Sequence, residues 1–225
     1  MQLDEPRRRA GHTEPFIAED GSAVYLPEDY FHLKPSTKTL RLGRFTSIPI
    51  AKPQPAAADA LEPLSEETGV PVVPLRSLSP RELAQNIGLP NHEAELARQR
   101  DFDELFFFAG SSGEDVARFK SLAAQKRISI RERGVLCSLA VGSDLCRCIR
   151  ELGTLYDRSL RAHVNRIAIA TSRDSSSIFP ACDRGIRLSA STKGDGASLS
   201  SHFSEIPITS PDLWDRVLTS ITSRG

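Results

Sequence analysis

The sequence has 225 residues, with 29 basic and 29 acidic side chains and therefore no formal net charge. A chain of this length folds as one domain with an appendage or as two small domains. Zero net charge argues against a protein that binds nucleic acid or an anionic membrane through overall attraction. No stretch approaches the roughly 18 apolar residues of a membrane span, and the amino terminus lacks the apolar run of a signal peptide. We therefore expect a cytoplasmic protein.

Proline divides the chain into two parts. Twelve of the fifteen prolines lie between Pro6 and Pro90, and residues 91–179 contain none. Within the first part, short β-like pieces are followed by a run rich in proline, alanine and valine at 51–74, which is typical of an extended linker without a core of its own. We therefore predict that residues 1–78 form an extended, proline-rich arm with short β-like segments.

The second part, residues 79–225, carries the signals of helices. Ser79 and Glu82 form a capping box around Pro80, and Ser112 begins another helix. These signals predict a mainly α fold: a small helical domain with a proline-rich, partly extended N-terminal arm and a few short strands. Other predicted features are a helix from Asn91 to Phe106, a segment at 128–141 that could be a strand or a buried helix, a Ser-rich loop at 171–204, and a short helix starting at Ser210 with Trp214 as its core anchor.

The most strongly patterned segment is residues 143–169, which we predict to be one amphipathic helix. At about 100° per residue, its apolar residues and its arginines fall in two opposite sectors, each about 80° wide. Gly153 costs such a helix about 1 kcal/mol relative to alanine, so packing of the apolar side must outweigh it. The apolar side consists of Leu145, Ile149, Leu152, Tyr156, Leu160, His163 and Ile167, and the basic side consists of Arg147, Arg150, Arg158 and Arg161.

The four arginines, Arg147, Arg150, Arg158 and Arg161, are a candidate binding surface with two interpretations. Four aligned guanidinium groups could contact the phosphates of a nucleic acid. However, Glu151 and Asp157 stand four residues from arginines of this surface, as in ordinary solvated helices. No aromatic residues that could stack on bases interleave with them. The pattern therefore favours a solvated or protein-binding surface over one that binds nucleic acid.

The cysteines and histidines do not form a recognisable reactive set. Cys146 and Cys148 are separated by one residue, which is a poor spacing for zinc even with His163 and Cys182 as further ligands. The phosphate-binding loop of cysteine phosphatases has five residues between cysteine and arginine, whereas Cys182 and Arg187 are separated by four. We predict no metal site and reduced, mostly buried thiols, with His163 as a buried core residue.

The carboxylates likewise give no clear catalytic set. Asp101, Asp103 and Glu104 could act as an acid and base pair, but we place them on a charged helix turn, where solvation explains them. The sequence has none of the common hydrolase or phosphate-loop motifs. We therefore predict no catalytic residue and no cofactor.

Two short runs resemble one known family. The run Pro27-Glu28-Asp29-Tyr30-Phe31-His32-Leu33 is similar to a segment near the amino terminus of the cytoplasmic sorting-platform accessory proteins of bacterial type III secretion systems, and Gly142–Ile149 is similar to a helical stretch of the same family. The resemblance implies a helix-rich, non-catalytic adaptor that docks between a membrane-embedded ring and cytoplasmic pods. Tyr25, Tyr30, Phe31 and His32 are accordingly a candidate docking segment.

Together, these patterns predict a non-enzymatic assembly or adaptor protein that acts through protein surfaces. One alternative is a nucleic-acid-binding structural protein of the coat or nucleocapsid type, which would use the arginines. Another is a secreted effector or enzyme with a disordered amino terminus, which His163, Cys182 or Asp195 in one cleft would support. The expected partners are other proteins, and the oligomeric state is left open.

Overall fold

The computed structural model describes residues 4–88, 90–171, 175–190 and 203–222. The chain divides into two compact units, Met1–Cys148 and Ile149–Gly225, and the predicted boundary after residue 78 falls within the first. Both units combine helices with β-sheets, so the prediction of a mainly α fold is wrong. None of the helices in the described ranges is both long enough and apolar enough to cross a membrane.

The first unit begins with an antiparallel sheet where the sequence predicted an extended arm. Phe16 and Tyr25 stack with their ring centroids 5.1 Å apart, and the Phe45 ring meets both edge-on. These aromatic residues pack with Phe102 into a buried cluster, so the arm prediction is wrong. The elements are α1 (Asp4–Arg9), β1 (Phe16–Ala18), β2 (Ala23–Pro27), β3 (Leu40–Leu42) and β4 (Phe45–Pro49), with strand order β1-β2-β4-β3.

Helix α2 (Gln54–Thr68) occupies the segment predicted as a linker. Proline is compatible with a first helical turn, where its missing N–H would have no partner, and Pro55 stands there. Buried residues then recur at helical spacing, at Ala57, Leu61, Leu64 and Thr68. The linker prediction is therefore wrong, because the burial of this face outweighs the proline content.

A second antiparallel sheet completes the first unit, with helices on both of its faces. The strands are β5 (Val72–Pro74), β6 (Asp103–Phe108), β7 (Ile128–Arg133) and β8 (Leu136–Val141) in the order β5-β6-β8-β7, and the helices are the 3₁₀ turn Leu75–Ser77, α3 (Pro80–Ile87), α4 (Asn91–Arg98) and α5 (Gly113–Gln125). One face packs against α2 and α5 through Phe106, Phe119 and Leu139, and the other packs against α3 and α4 through Leu83 and Leu105.

Local predictions in this unit fared better than the fold class. The capping box at Ser79 is confirmed, and a second box at Ser112 opens α5. The helix predicted from Asn91 to Phe106 ends at Arg98, because the following residues form buried strand β6. The undecided segment 128–141 is the hairpin of β7 and β8.

The second unit contains a three-stranded parallel sheet. Helix α6 (Leu145–Leu160) leads into it and ends nine residues earlier than predicted, because residues 167–170 form a strand. Trp214 is 65% exposed, so the prediction that it anchors the core is wrong. The elements are β9 (Ile167–Ala170), a 3₁₀ helix (Ser175–Ala181), β10 (Arg184–Ser189), β11 (Phe203–Pro207) and α7 (Leu213–Thr222), with strand order β11-β10-β9.

Both faces of this sheet pack apolar side chains, as parallel sheets usually do, and one face also carries an ion pair of Arg187 with Glu205 at 2.8 Å. On one face, Ile186 and Ile206 pack with Val217 of α7. On the other, the stacked rings of Phe179 and Phe203 have centroids 5.1 Å apart. Strand β10 lies within the predicted Ser-rich loop at 171–204, and residues 172–174 and 191–202 of that loop lie outside the described residues.

Candidate functional site

The turn between β1 and β2 carries Glu19, whose carboxylate accepts several backbone hydrogen bonds. Glu19 and Asp20 both adopt left-handed backbone conformations, with φ of 50° and 54°, which side chains other than glycine rarely occupy. The Glu19 carboxylate accepts backbone N–H groups from Asp101, Phe102 and Asp103 at 3.1, 2.7 and 3.0 Å. These three bonds connect the turn to the start of β6.

An arginine and a second carboxylate complete this buried group. The Arg100 guanidinium donates to both oxygens of Asp103, at 2.5 and 2.8 Å, and the Asp103 side chain is only 1% exposed. Burial raises the pKa of Glu19; the negative charge of Asp103 adds to this effect and Arg100 opposes it. We call Glu19, Arg100 and Asp103 the acid–arginine cluster, in which Asp103 is buried and the other two side chains are half-buried.

Two further carboxylates at the edge of this cluster also have partners. The Tyr25 hydroxyl donates to Asp101 at 3.1 Å, and burial raises the pKa of Tyr25 far above its usual value, so the phenol stays neutral. Asp20 accepts from Arg133 at 2.5 Å and from the Ser138 hydroxyl at 3.0 Å. The whole group thus joins the β1–β2 turn to strands β6 and β8.

The neighbouring carboxylate, Glu104, lies on the opposite face of β6 from Asp103, since side chains alternate along a strand. It accepts from Gln54 at the start of α2 and has the Arg76 guanidinium 3.8 Å away. Burial raises the pKa of Glu104. The placement of these carboxylates on a solvated helix turn is therefore wrong: Asp103 and Glu104 are buried in a strand.

The contacts of this group indicate a structural role rather than a reactive centre. Its buried carboxylates already accept hydrogen bonds from backbone amides, arginine or glutamine, which satisfies buried charge. Across the described ranges, no three His, Cys, Asp or Glu side chains are grouped so that they could hold a metal ion.

The second unit offers a different kind of site, defined by topology. In open α/β sheets, ligands bind outside the carboxyl ends of the parallel strands. Here these ends are Ala170, Ser189 and Pro207; Ser189 pairs with Pro207, and Ala170 pairs with Arg187, two residues before Ser189. Exposed Thr171 follows β9 directly, so its hydroxyl lies at this edge. We call this edge the carboxyl edge of the parallel sheet.

The opposite edge holds a cluster of charged side chains, Asp157, His163, Arg166 and Asp183. Asp157 accepts from the Val164 amide and the Arg166 guanidinium, each at 2.7 Å, and these partners hold the pKa of Asp157 below its usual range. The His163 ring nitrogens lie 3.7 Å from Asp157 and 3.6 Å from Asp183, but the side chain is 60% exposed. The prediction of a buried His163 is therefore wrong.

Arg166 also explains the glycine inside α6. A Cβ on Gly153 would lie 2.1 Å from Nε of Arg166, so any other residue there would displace the guanidinium group. The glycine therefore makes room for the ion pair of Arg166 with Asp157, which fastens the end of α6 to the start of β9.

The other sequence-predicted residues take varied places. Arg147, Arg150, Arg158 and Arg161 are all exposed, with Arg161 beyond the end of α6. Tyr25 is buried and cannot contact a partner, while Tyr30 and His32 lie exposed after β2 with Phe31 between them. The surface role of these three residues stays a prediction.

The remaining candidate residues are the four cysteines and Asp195. Cys137 and Cys148 are buried and Cys146 and Cys182 are half-buried, all as free thiols. Burial raises the pKa of Cys137 to about 11, so this thiol is protonated and unreactive at neutral pH. Asp195 lies outside the described residues.

Comparison with known proteins gives two related sequences and a shared fold. Two curated relatives are 23% and 22% identical over 169 and 171 residues, from Methanococcoides burtonii and Persephonella marina, and both are named glucosyl-3-phosphoglycerate/mannosyl-3-phosphoglycerate phosphatase. Each match covers 75% of this chain, which spans 61% of the relatives' length. No family model matches the chain.

A solved structure from Thermoplasma acidophilum has the same fold, with a TM-score of 0.54 and 15% identity over 91% of this chain and 71% of that one. This likeness agrees with the mixed α/β architecture and extends over both units of the chain.

These findings overturn the functional predictions made from the sequence. The resemblance to type III secretion accessory proteins is wrong, because the detected relatives are phosphatases. The prediction of a non-enzymatic adaptor is wrong for the same reason, and neither of its alternatives is supported. The chain is therefore similar to named phosphatases over three-quarters of its length.

Proposed function

We propose that this chain hydrolyses the phosphate monoester of a glycosylated phosphoglycerate. The supporting observation is that both curated relatives, each matched over 75% of the chain, carry the name of such a phosphatase. In this reaction, water attacks phosphorus and the P–O bond to the glycerate breaks. Inorganic phosphate and the free hydroxyl of the glycosylglycerate are the products.

The carboxyl edge of the parallel sheet is the proposed location of the ester. The argument is the general position of ligands in open α/β sheets, together with the exposed Thr171 directly after β9. A hydroxyl there can donate a hydrogen bond to a phosphate oxygen. The hydrogen bonds within the acid–arginine cluster of the first unit support a structural role for it instead.

The direct test is release of inorganic phosphate from glucosyl-3-phosphoglycerate and mannosyl-3-phosphoglycerate by the purified chain. Mg²⁺ belongs in the buffer, because phosphate groups commonly reach enzymes as magnesium complexes. We expect release that is proportional to protein concentration and faster than from glucose 6-phosphate. No release from either glycosylated ester above the protein-free rate would overturn the proposal.

A pair of matched variants locates the site. T171A removes the hydroxyl at the carboxyl edge, and we expect it to lower kcat/KM at least about tenfold. T219A removes an exposed hydroxyl on α7 that donates to the Asp215 carbonyl at 2.8 Å, and we expect no change. Equal activity of the two variants would contradict the proposed location.

A cytoplasmic location is part of the same proposal. Cys137 and Cys148 are buried as thiols, and Cys148 donates to the Gly21 carbonyl at 3.1 Å. Such structural thiols are typical of reducing compartments.

A further inference from the structure

The arginine face of the chain consists of Arg147, Arg150, Arg158 and Arg161, all exposed. Within the described residues, no carboxylate lies at ion-pair distance from any of them. Asp157, four residues before Arg161, is instead engaged by Arg166 at 2.7 Å. The sequence-based expectation that local carboxylates neutralise this face is therefore wrong for Arg161.

The face has a defined length on α6. Arg147 and Arg158 are eleven residues apart, which corresponds to about 16 Å along a helix. The three guanidinium groups of Arg147, Arg150 and Arg158 on this length, with Arg161 just beyond it, repel one another. An anionic surface would therefore be a favourable partner.

A surface of that description exists on the same chain. Asp59, Glu62 and Glu66 follow one exposed side of α2 at spacings of three and four residues. Among the described residues, none of these three carboxylates has a basic side chain at ion-pair distance. Like charges at such spacings destabilise a helix, and a cationic partner would relieve this repulsion. We call these three residues the acidic face.

The acidic face also borders a cavity of about 330 Å³, which is large enough for a guanidinium group. Glu62 and Glu66 line it together with the apolar side chains of Leu61 and Val72. The one arginine at its wall, Arg76, already donates to the Ala58 carbonyl at 3.4 Å. An incoming arginine could therefore place its methylene groups on apolar surface and its charge beside two carboxylates.

We propose that the arginine face of one copy of this chain binds the acidic face of a second copy. The two faces have opposite charge, and the chain as a whole has no net charge to keep copies apart. Because the contact joins two different surfaces, a bound pair still has one arginine face and one acidic face open. Association can therefore continue beyond a pair, and it grows with concentration. It is independent of the proposed hydrolysis.

Sedimentation equilibrium of the full chain tests the association. At about 20 mM salt we expect the weight-average mass to exceed 24.7 kDa and to rise with protein concentration; at about 500 mM salt it returns to the monomer value, because salt screens exposed charges. A mass of 24.7 kDa at all concentrations in low salt would overturn the proposal, as would association that salt does not weaken.

A charge-swap experiment tests the pairing of the faces. The variant R150E/R158E and the variant E62R/E66R should each associate at least about tenfold more weakly than the parent, because like charges then meet. Mixing the two variants should restore association, since each supplies a face complementary to the other. The control R81E/R131E makes the same change of charge at exposed positions outside both faces. It should associate like the parent if the two faces pair, and like R150E/R158E if net charge alone matters.

The substituted residues are exposed, and circular dichroism of each variant verifies its fold. A mixture no heavier than its separate components would overturn the pairing, as would a control that loses association equally. Restored mass in the mixture together with an unaffected control would support it.

Discussion

Two charged groups among the described residues use the same chemistry at different degrees of burial. In the first unit, Glu19 accepts three backbone amides and Asp103 is held by Arg100, with Asp103 only 1% exposed. In the second unit, Asp157 accepts a backbone amide and Arg166, but His163 beside it is 60% exposed. A buried group with no water to replace its partners depends on every bond, whereas an exposed group does not. We therefore expect the acid–arginine cluster of the first unit to contribute more to stability than the exposed imidazole of His163 does.

The largest expected effect is that of Glu19→Ala. The substitution leaves the amides of Asp101, Phe102 and Asp103 without their acceptor, and we expect a loss of about 3–5 kcal/mol in the free energy of unfolding. Urea unfolding measures it. The control E28A removes an exposed carboxylate that pairs with Arg41 at 3.0 Å and should cost less than about 1 kcal/mol. Equal losses in the two variants would contradict the comparison.

In the second unit, packing around Gly185 should matter more for stability than the exposed charge of His163. A Cβ on Gly185 would lie 2.6 Å from the Phe203 ring and 2.7 Å from the Phe179 ring. We expect Gly185→Ala to lower the free energy of unfolding by about 1–3 kcal/mol through overpacking. Gly113→Ala is the control, because nothing lies within 4 Å of a Cβ there, and it should be neutral or slightly stabilising. A neutral G185A would show that the stacked rings yield easily.

A third prediction concerns the pH dependence of the first unit. Because burial raises the pKa of Glu104, the native state holds this proton more tightly than the unfolded state does. Its contribution to the free energy of unfolding therefore decreases as pH rises from about 4 through the raised pKa. Glu104→Gln lacks this change but keeps an oxygen that can accept from Gln54. We expect the stability of the variant relative to the parent to be greater at about pH 7 than at about pH 4.

Urea unfolding of both proteins across this pH range gives the difference directly. A difference that stays constant with pH would mean that Glu104 ionises in the native state as readily as in the unfolded chain.

The smallest expected effect belongs to His163→Ala. The imidazole lies 3.7 Å from Asp157 and 3.6 Å from Asp183 in an exposed position, so we expect a change within about 0.5 kcal/mol. Thermal or urea unfolding is sufficient to measure it. A loss above about 1 kcal/mol would show that the exposed cluster is a true anchor and would remove the contrast with the first unit.

Features governed by neighbouring residues could be predicted from the sequence. Ser79 and Ser112 begin helices because their partners are only three residues away. The helix at α2 was also available in principle, since Ala57, Leu61 and Leu64 recur at helical spacing. Proline content hid that pattern, although proline in a first helical turn is compatible with a helix.

The acid–arginine cluster could not be predicted from local sequence patterns. Asp103 looks solvated in sequence, and its burial depends on Glu19, which is 84 positions earlier. Arg166 and Gly153 are a similar case, because the need for a glycine appears only when the guanidinium group is placed beside it. Such contacts between distant residues are set by tertiary structure, which local patterns do not encode.

The proposed phosphatase activity is the central functional claim, and phosphorus-31 NMR tests it most directly. Mannosyl-3-phosphoglycerate is incubated with the purified chain and Mg²⁺, and the spectrum is followed with time. We expect the ester resonance to be replaced by that of inorganic phosphate, at a rate proportional to protein concentration. An ester resonance that persists unchanged beside fully folded protein would contradict it.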